Sequence, residues 1–264
     1  MRNQALISTA FAAAVFAITG VLAPLPAGAQ MQLAQAQAPA PPKPYKVVAV
    51  KLPEPLKDAS FEAFRKQLAT IAEKKDRAAL ARLIARNFFW VPEDKDVADR
   101  RKSGIENLAK AIGLDGRDAP GWELLLGYAN DPTADKDPDH KDVICSPGDP
   151  IFDETAVEEL AATTETEAGD WGYAAINGVE VRSGPEKSAP VIEKLGLHLV
   201  RVYPDDSPAG AVNADVLRIV TPSGKVGFVP GEAILPLASD HLCYVKEGNA
   251  WKIAGVIGGS TGGQ

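Results

Sequence analysis

Two cysteines, three histidines and one dense run of carboxylates are the residues of this 264-residue chain with the most chemistry in them. Asp135-Lys136-Asp137-Pro138-Asp139 alternates carboxylates as a calcium loop does, with Asp131 and Asp142 adding charge on either side. An EF-hand loop needs Gly at its sixth position and Glu at its twelfth; His140 and Ser146 stand there, and Pro138 stiffens the middle. The run therefore reads as a solvated acidic loop.

Cys145 and Cys243 are the two cysteines, and in an oxidising compartment pairing is their default. A zinc site from His140, Cys145, His241 and Cys243 is the alternative, because His241 and Cys243 are two apart and project from one face of a strand. That spacing matches no common zinc finger. A Cys145 nucleophile beside His241 would make a hydrolase, but Cys-Ser-Pro-Gly does not put the sulfur at a helix N-terminus, and no Gly-x-Ser-x-Gly elbow is present. No catalytic residue and no cofactor are assigned.

The elements that must position these residues begin after an export signal. Met1-Arg2, an apolar run from Ala5 to Ala23 and Ala27-Gly28-Ala29 have the form of a secretory signal peptide over residues 1–29, with an uncleaved anchor as the alternative. Residues 30–44, rich in Ala, Gln and Pro, read as a disordered tether. The formal net charge is −7, and no basic cluster with interleaved aromatics occurs, which excludes a nucleic-acid footprint. The implied location is periplasmic or secreted, with no stable membrane insertion once the signal is removed.

Residues 45–168 read as a helical domain. Phe61, Phe64, Leu68 and Ile71 share one helix face behind Ser60 as cap. Asp76 caps a second helix carrying Leu80, Leu83, Ile84 and Phe88, with Phe89 and Trp90 closing its end. Ser103-Gly104-Ile105-Glu106 fits a capping box and Gly113 a left-handed C-cap. Pro120 opens a further helix with Leu124, Leu125 and Leu126 buried, and a last helix follows Asp149-Pro150.

From Gly178 to Leu235 the pattern changes to short β-branched runs bounded by Gly, Pro, Asp or Ser, the form of a small β-barrel. Val179-Glu180-Val181-Arg182-Ser183-Gly184-Pro185, then Pro190-Val191-Ile192 and Gly224-Lys225-Val226-Gly227-Phe228-Val229, resemble the bacterial SH3 (SH3b) domain over about residues 174–237. That resemblance implies a module that binds an envelope component. The chain departs from the family at Glu180, often Asn there, and at Asn213-Ala214-Asp215, where a Gly-Trp pair is usual.

The expected architecture is α+β: an N-terminal all-α helical domain (45–168), a small SH3-like β-barrel (169–237), a C-terminal β-hairpin (238–258) turned by Gly248-Asn249 and packed on the helices, and a disordered tail (259–264). The expected function is that of an exported non-enzymatic binding or scaffolding protein for an envelope peptide, peptidoglycan or protein, with a cell-wall hydrolase or its regulator, or a metal-binding envelope protein, as alternatives. The barrel core takes Phe228 among its apolar residues, which leaves Arg182, Glu186, Lys187, Tyr203, Asp205 and Asp206 to flank one ligand groove, with ordinary solvated loops as the alternative; Trp171 and Tyr173 either replace the missing stacking tryptophan or pack at the domain junction.

Overall fold

The structure, a computed structural model, describes residues 42–116, 119–203 and 215–259. The expected signal peptide, residues 30–41 of the tether, Asp205 and Asp206, and the tail beyond Gly259 lie outside them.

After strand β1 (Val50–Lys51), the first helix, α1 (Ala59–Glu73), starts two residues earlier than the sequence pattern implies. Its cap is Asp58, not Ser60: Asp58 Oδ1 accepts from the backbone N–H of Ser60 at 2.7 Å and of Phe61 at 3.0 Å, and from the Ser60 hydroxyl. Asp76 caps α2 (Arg77–Arg82) through the Ala79 N–H. The expected continuation through Phe88 does not form. Ile84–Val91 is instead the strand β2, whose β-branched and aromatic residues are held by parallel pairing to a strand far along the chain.

Helix α3 (Gly104–Ile112) begins where Glu106 accepts the Ser103 N–H at 2.9 Å, and it ends at Gly113 with φ of 70°. Helix α4 (Gly121–Asn130) follows Pro120; Leu125 is fully buried, whereas Leu124 lies on its outer face. Strands β3 (Asp135–Lys136) and β4 (Val143–Ser146) then form a hairpin, followed by β5 (Ile151–Phe152) and α5 (Glu154–Thr164). Six strands come next: β6 (Trp171–Ala174), β7 (Val179–Arg182), β8 (Val191–Leu195), β9 (Leu199–Val202), β10 (Val216–Val220) and β11 (Val226–Pro230). The chain closes with β12 (Ile234–Pro236), β13 (His241–Glu247) and β14 (Ala250–Ile257).

These strands make a small two-stranded ladder, β1-β5, and two larger sheets, the first of order β2-β14-β13-β4-β3 and the second of order β12-β6-β9-β10-β11-β7-β8. The expected architecture is corrected on both sides of residue 168. No all-α domain precedes the second sheet, because β2, β3 and β4 fall within residues 45–168 and share a sheet with β13 and β14. The terminal hairpin is not an appendage; it is the centre of that five-stranded sheet. The seven-stranded sheet stays open, with β12 and β8 as its edges, so no closed barrel forms. The protein is mostly β, with five short helices among the described residues.

Alternation along β13 and β14 gives the first sheet two different faces. Leu242, Tyr244, Ile253 and Val256 point toward the helices and join Phe61, Phe64, Leu68, Leu108 and Leu125 in the main core. Cys243 and Ala254 point the other way and pack with Phe89, Val143 and Cys145. A further cluster joins α5 and β1 to the second sheet through Val50, Leu160, Trp171, Tyr173 and Leu199. Tyr45 fastens the start of the described chain there: its hydroxyl donates to Val220 O at 2.8 Å and its ring meets Trp171 edge-on at 5.0 Å.

Candidate functional site

The loop between β7 and β8 is shaped from its base upward. Arg182, the last residue of β7, donates from Nη1 to Ala189 O at 2.8 Å and from Nη2 to Glu180 Oε2 at 2.6 Å, while Ser183 N–H reaches Pro190 O. The guanidinium thus ties both ends of the loop together, and a charge-assisted fork of this kind fixes direction as well as distance. Phe228 of β11 stands directly opposite Arg182 across the strand pair. Directly opposed residues present their side chains to one face of the sheet.

On that face opens a cleft of about 590 Å³, lined by Arg182, Lys187, Asp215, Phe228 and Glu232 together with Gly184-Pro185 and Val229-Pro230. Lys187, Asp215 and Glu232 make no ion pair among the described residues. The cleft therefore offers an apolar floor, one fixed cation, one exposed cation and two exposed carboxylates. That mixture suits a short ligand bearing both charges, not a uniformly anionic one.

The residues expected at the groove divide. Arg182 and Lys187 line the cleft, whereas Glu186 is exposed on the same loop outside its wall. Tyr203 is elsewhere: its ring is covered by the guanidinium groups of Arg218 at 4.7 Å and Arg201 at 5.6 Å. Trp171 is not a stacking platform, because it is only 2% exposed and its Nε1 donates to Thr166 Oγ1 at 2.8 Å. Tyr173 is buried too, but it lines a second cleft of about 270 Å³ with Leu52, Pro53, Asp131, Pro147 and Leu235. Burial, then the charges of Asp149 and Asp131, pushes the Tyr173 phenol above its ordinary range.

Asp215, Glu232 and Phe228 are the contributions that sequence patterning does not reveal, and Phe228 is the instructive one. An apolar residue in a strand was assigned to the core, yet β11 turns Gly227 and Val229 inward and leaves Phe228 half-buried. The signal was in the alternation, since Gly227 and Val229 share one face and Phe228 takes the other.

Cys145 and Cys243 are bonded, with sulfurs 2.03 Å apart, on directly opposed positions of β4 and β13. The thiol that a Cys145 nucleophile would require is thus engaged, and so are both sulfurs of the zinc alternative. His241, its expected partner, pairs with Asp149 at 3.0 Å. His140 contacts Asp137 Oδ2 through Nδ1 at 2.8 Å and stacks on Phe89 with centroids 3.9 Å apart. The residue brought to the sulfurs is Asp137, whose Oδ2 lies 3.8 Å from Cys145 Sγ. Comparisons with protein-family models, curated proteins and solved structures find no match to this chain.

Proposed function

We propose that the protein is an exported, non-enzymatic binding protein that holds a short peptide or a peptidoglycan stem in the cleft beside the β7–β8 loop. The observation that carries this reading is the convergence of Lys187, Asp215 and Glu232, none ion-paired among the described residues, around the half-buried Phe228 ring. A cleft of about 590 Å³ lies within the size range of small-ligand sites. Lys187 faces a ligand carboxylate and the Asp215 and Glu232 carboxylates face an amine, while Phe228 takes apolar contact. The net charge of −7 works against a polyanion as the occupant.

The motif resemblance of residues 174–237 to bacterial SH3 modules is itself part of the proposal and favours the same class of partner. So does the N-terminal signal pattern, which favours export to the periplasm or outside the cell. Among the described residues no helix is long and apolar enough to cross a membrane. Co-sedimentation of the signal-free protein with purified sacculi, and recovery of partners from envelope extract, test the reading. Lys187→Glu and Glu232→Lys should each cut retention at least fivefold while leaving the far-UV circular dichroism unchanged. Folded variants retained as well as wild type would sink it.

A further inference from the structure

The geometry points to a second site, independent of the cleft: when the Cys145–Cys243 bond is reduced, Asp137, Cys145 and Cys243 form a binding site for a thiophilic divalent cation such as Zn²⁺. Asp137 Oδ2 and the two sulfurs all lie within 4.8 Å of one another. They come from two distant segments of the chain, the β3–β4 hairpin and β13. The cysteines face each other across β4 and β13, and Asp137 is carried over them by the β3–β4 hairpin, where its N–H bonds to Val143 O at 3.1 Å.

The spacing suits coordination. Metal–oxygen and metal–sulfur bonds of about 2.0 and 2.3 Å at a tetrahedral angle separate the two ligand atoms by about 3.5 Å. Asp137 Oδ2 and Cys145 Sγ are already 3.8 Å apart. The sulfur–sulfur separation must open, and opposed cysteines on neighbouring strands reach that by rotating about their side-chain bonds, a motion that also adjusts Cys243 Sγ relative to Asp137. The carboxylate is also held ready. Oδ1 accepts the Asp139 N–H at 2.8 Å, Oδ2 contacts His140 Nδ1 at 2.8 Å, and the side chain is 2% exposed. A ligating carboxylate held by an outer hydrogen-bonding group is the usual second layer of a metal centre. His140, 34% exposed and stacked on Phe89, stands between the site and solvent.

Charge decides between the two roles open to a reduced pair. A carboxylate this close repels a lone thiolate, which makes Cys145 a poor nucleophile for thiol–disulfide exchange. The same three negative groups, buried together, are what a divalent cation neutralises. Two thiolates also select a soft metal over Ca²⁺ or Mg²⁺. This ligand set differs from the one drawn from spacing alone, with Asp137 in place of His241 as a ligand and His140 outside the metal.

The chemistry balances with a dithiol as reductant: its two sulfurs become a disulfide, the Cys145–Cys243 bond breaks, and both cysteines leave as thiols. Cation binding then forms two metal–sulfur bonds and releases two protons. In vitro a phosphine replaces the dithiol, taking oxygen from water as the two water protons pass to the sulfurs.

The experiment titrates Co²⁺, as a coloured stand-in for Zn²⁺, into phosphine-reduced signal-free protein, into the oxidised protein, and into reduced Asp137→Asn and His140→Gln variants. Reduced wild type should bind one Co²⁺ per chain with a thiolate-to-cobalt charge-transfer band that Zn²⁺ abolishes, and the oxidised protein should show none. Asp137→Asn should weaken binding at least tenfold, and His140→Gln by about tenfold to a hundredfold if it acts through Asp137. Far-UV circular dichroism runs alongside. If reduction loosens the fold, metal should restore it in wild type and fail to do so in Asp137→Asn. Absence of the band in the reduced protein, an equal band in the oxidised protein, or equal affinity of wild type and Asp137→Asn would each overturn the inference.

Discussion

Cys145 and Cys243 stand directly opposite each other on adjacent antiparallel strands, their Cα atoms 4.0 Å apart and their positions 98 residues apart in the chain. The whole seven-stranded sheet is contained in the loop that their bond closes. Closing so long a loop restricts the unfolded chain, and loss of such a cross-link costs about 2–5 kcal/mol. The double variant Cys145→Ser, Cys243→Ser should therefore unfold at clearly lower denaturant. A loss below about 1 kcal/mol would show that pairing of β4 with β13 holds the junction without the bond.

Gly255 of β14 is fixed by close approach, not by backbone freedom. A Cβ added there would lie 2.5 Å from Phe89 Cδ2 and 2.6 Å from Cε2. Gly255→Ala should cost about 1–3 kcal/mol by forcing the ring aside. Because that ring stacks on His140, the imidazole resonances of His140 should shift as well. Pairing the change with Phe89→Leu should recover part of the loss, read as non-additivity in a double-mutant cycle. Additive costs would mean that the two residues do not press on each other.

Stability should fall at alkaline pH through tyrosines. Burial, the largest influence on each, pushes the phenols of Tyr45, Tyr128 and Tyr244 well above their ordinary range. A group whose folded form holds its proton more tightly stabilises fully below its unfolded pKa, about 10 for tyrosine, and progressively loses that contribution above it. For a phenol that stays protonated when folded, such as the fully buried Tyr244, each unit above that point costs about 1.4 kcal/mol. Phenolate absorbance should appear together with unfolding, not ahead of it. Titration of all five tyrosines in the native state would contradict this.

Acid should act at the helix starts instead. The Ser60 hydroxyl and the Phe61 N–H lower the carboxyl of Asp58 at the α1 cap, and Ser103 lowers that of Glu106 at α3. Arg101 holds Asp99 at about 2. With folded values depressed, their stabilisation is present above the ordinary carboxylate range of about 4 and is lost as pH falls through the lowered values. Helical circular dichroism should decline below about pH 4, and Ser103→Ala, which deletes the hydroxyl but keeps the backbone N–H, should reduce the Glu106 share of that pH dependence. A pH response identical to wild type would rule out the Ser103–Glu106 contact as its cause.

The parts of the fold legible in the sequence were those decided locally. Ser103 with Glu106, Asp76 and Gly113 act within one turn of their own positions, so residue type was enough. Residues 84–91 were misread because Leu80, Leu83, Ile84 and Phe88 also fit helical spacing, while the partner that makes them a strand is β14. With Phe88, Phe89 and Trp90 all buried, no alternation marked the strand. The same holds at the sites. Lys187 is readable as a loop residue and Arg182 as the strand end at its base, but Asp137 looks like part of a failed calcium loop until the β3–β4 hairpin brings it over the sulfurs. Tyr203 reads as an exposed loop aromatic in the sequence, but the guanidinium groups of Arg218 and Arg201 lie over its ring.

Ligand binding at the cleft between the β7–β8 loop and β11 can be read by amide hydrogen exchange on the signal-free protein with and without solubilised peptidoglycan fragments. Binding should slow exchange at residues 183–187 and 226–232 and leave β13 and β14 unchanged. Protection confined to the first sheet, or none at fragment concentrations that saturate retention, would contradict the account.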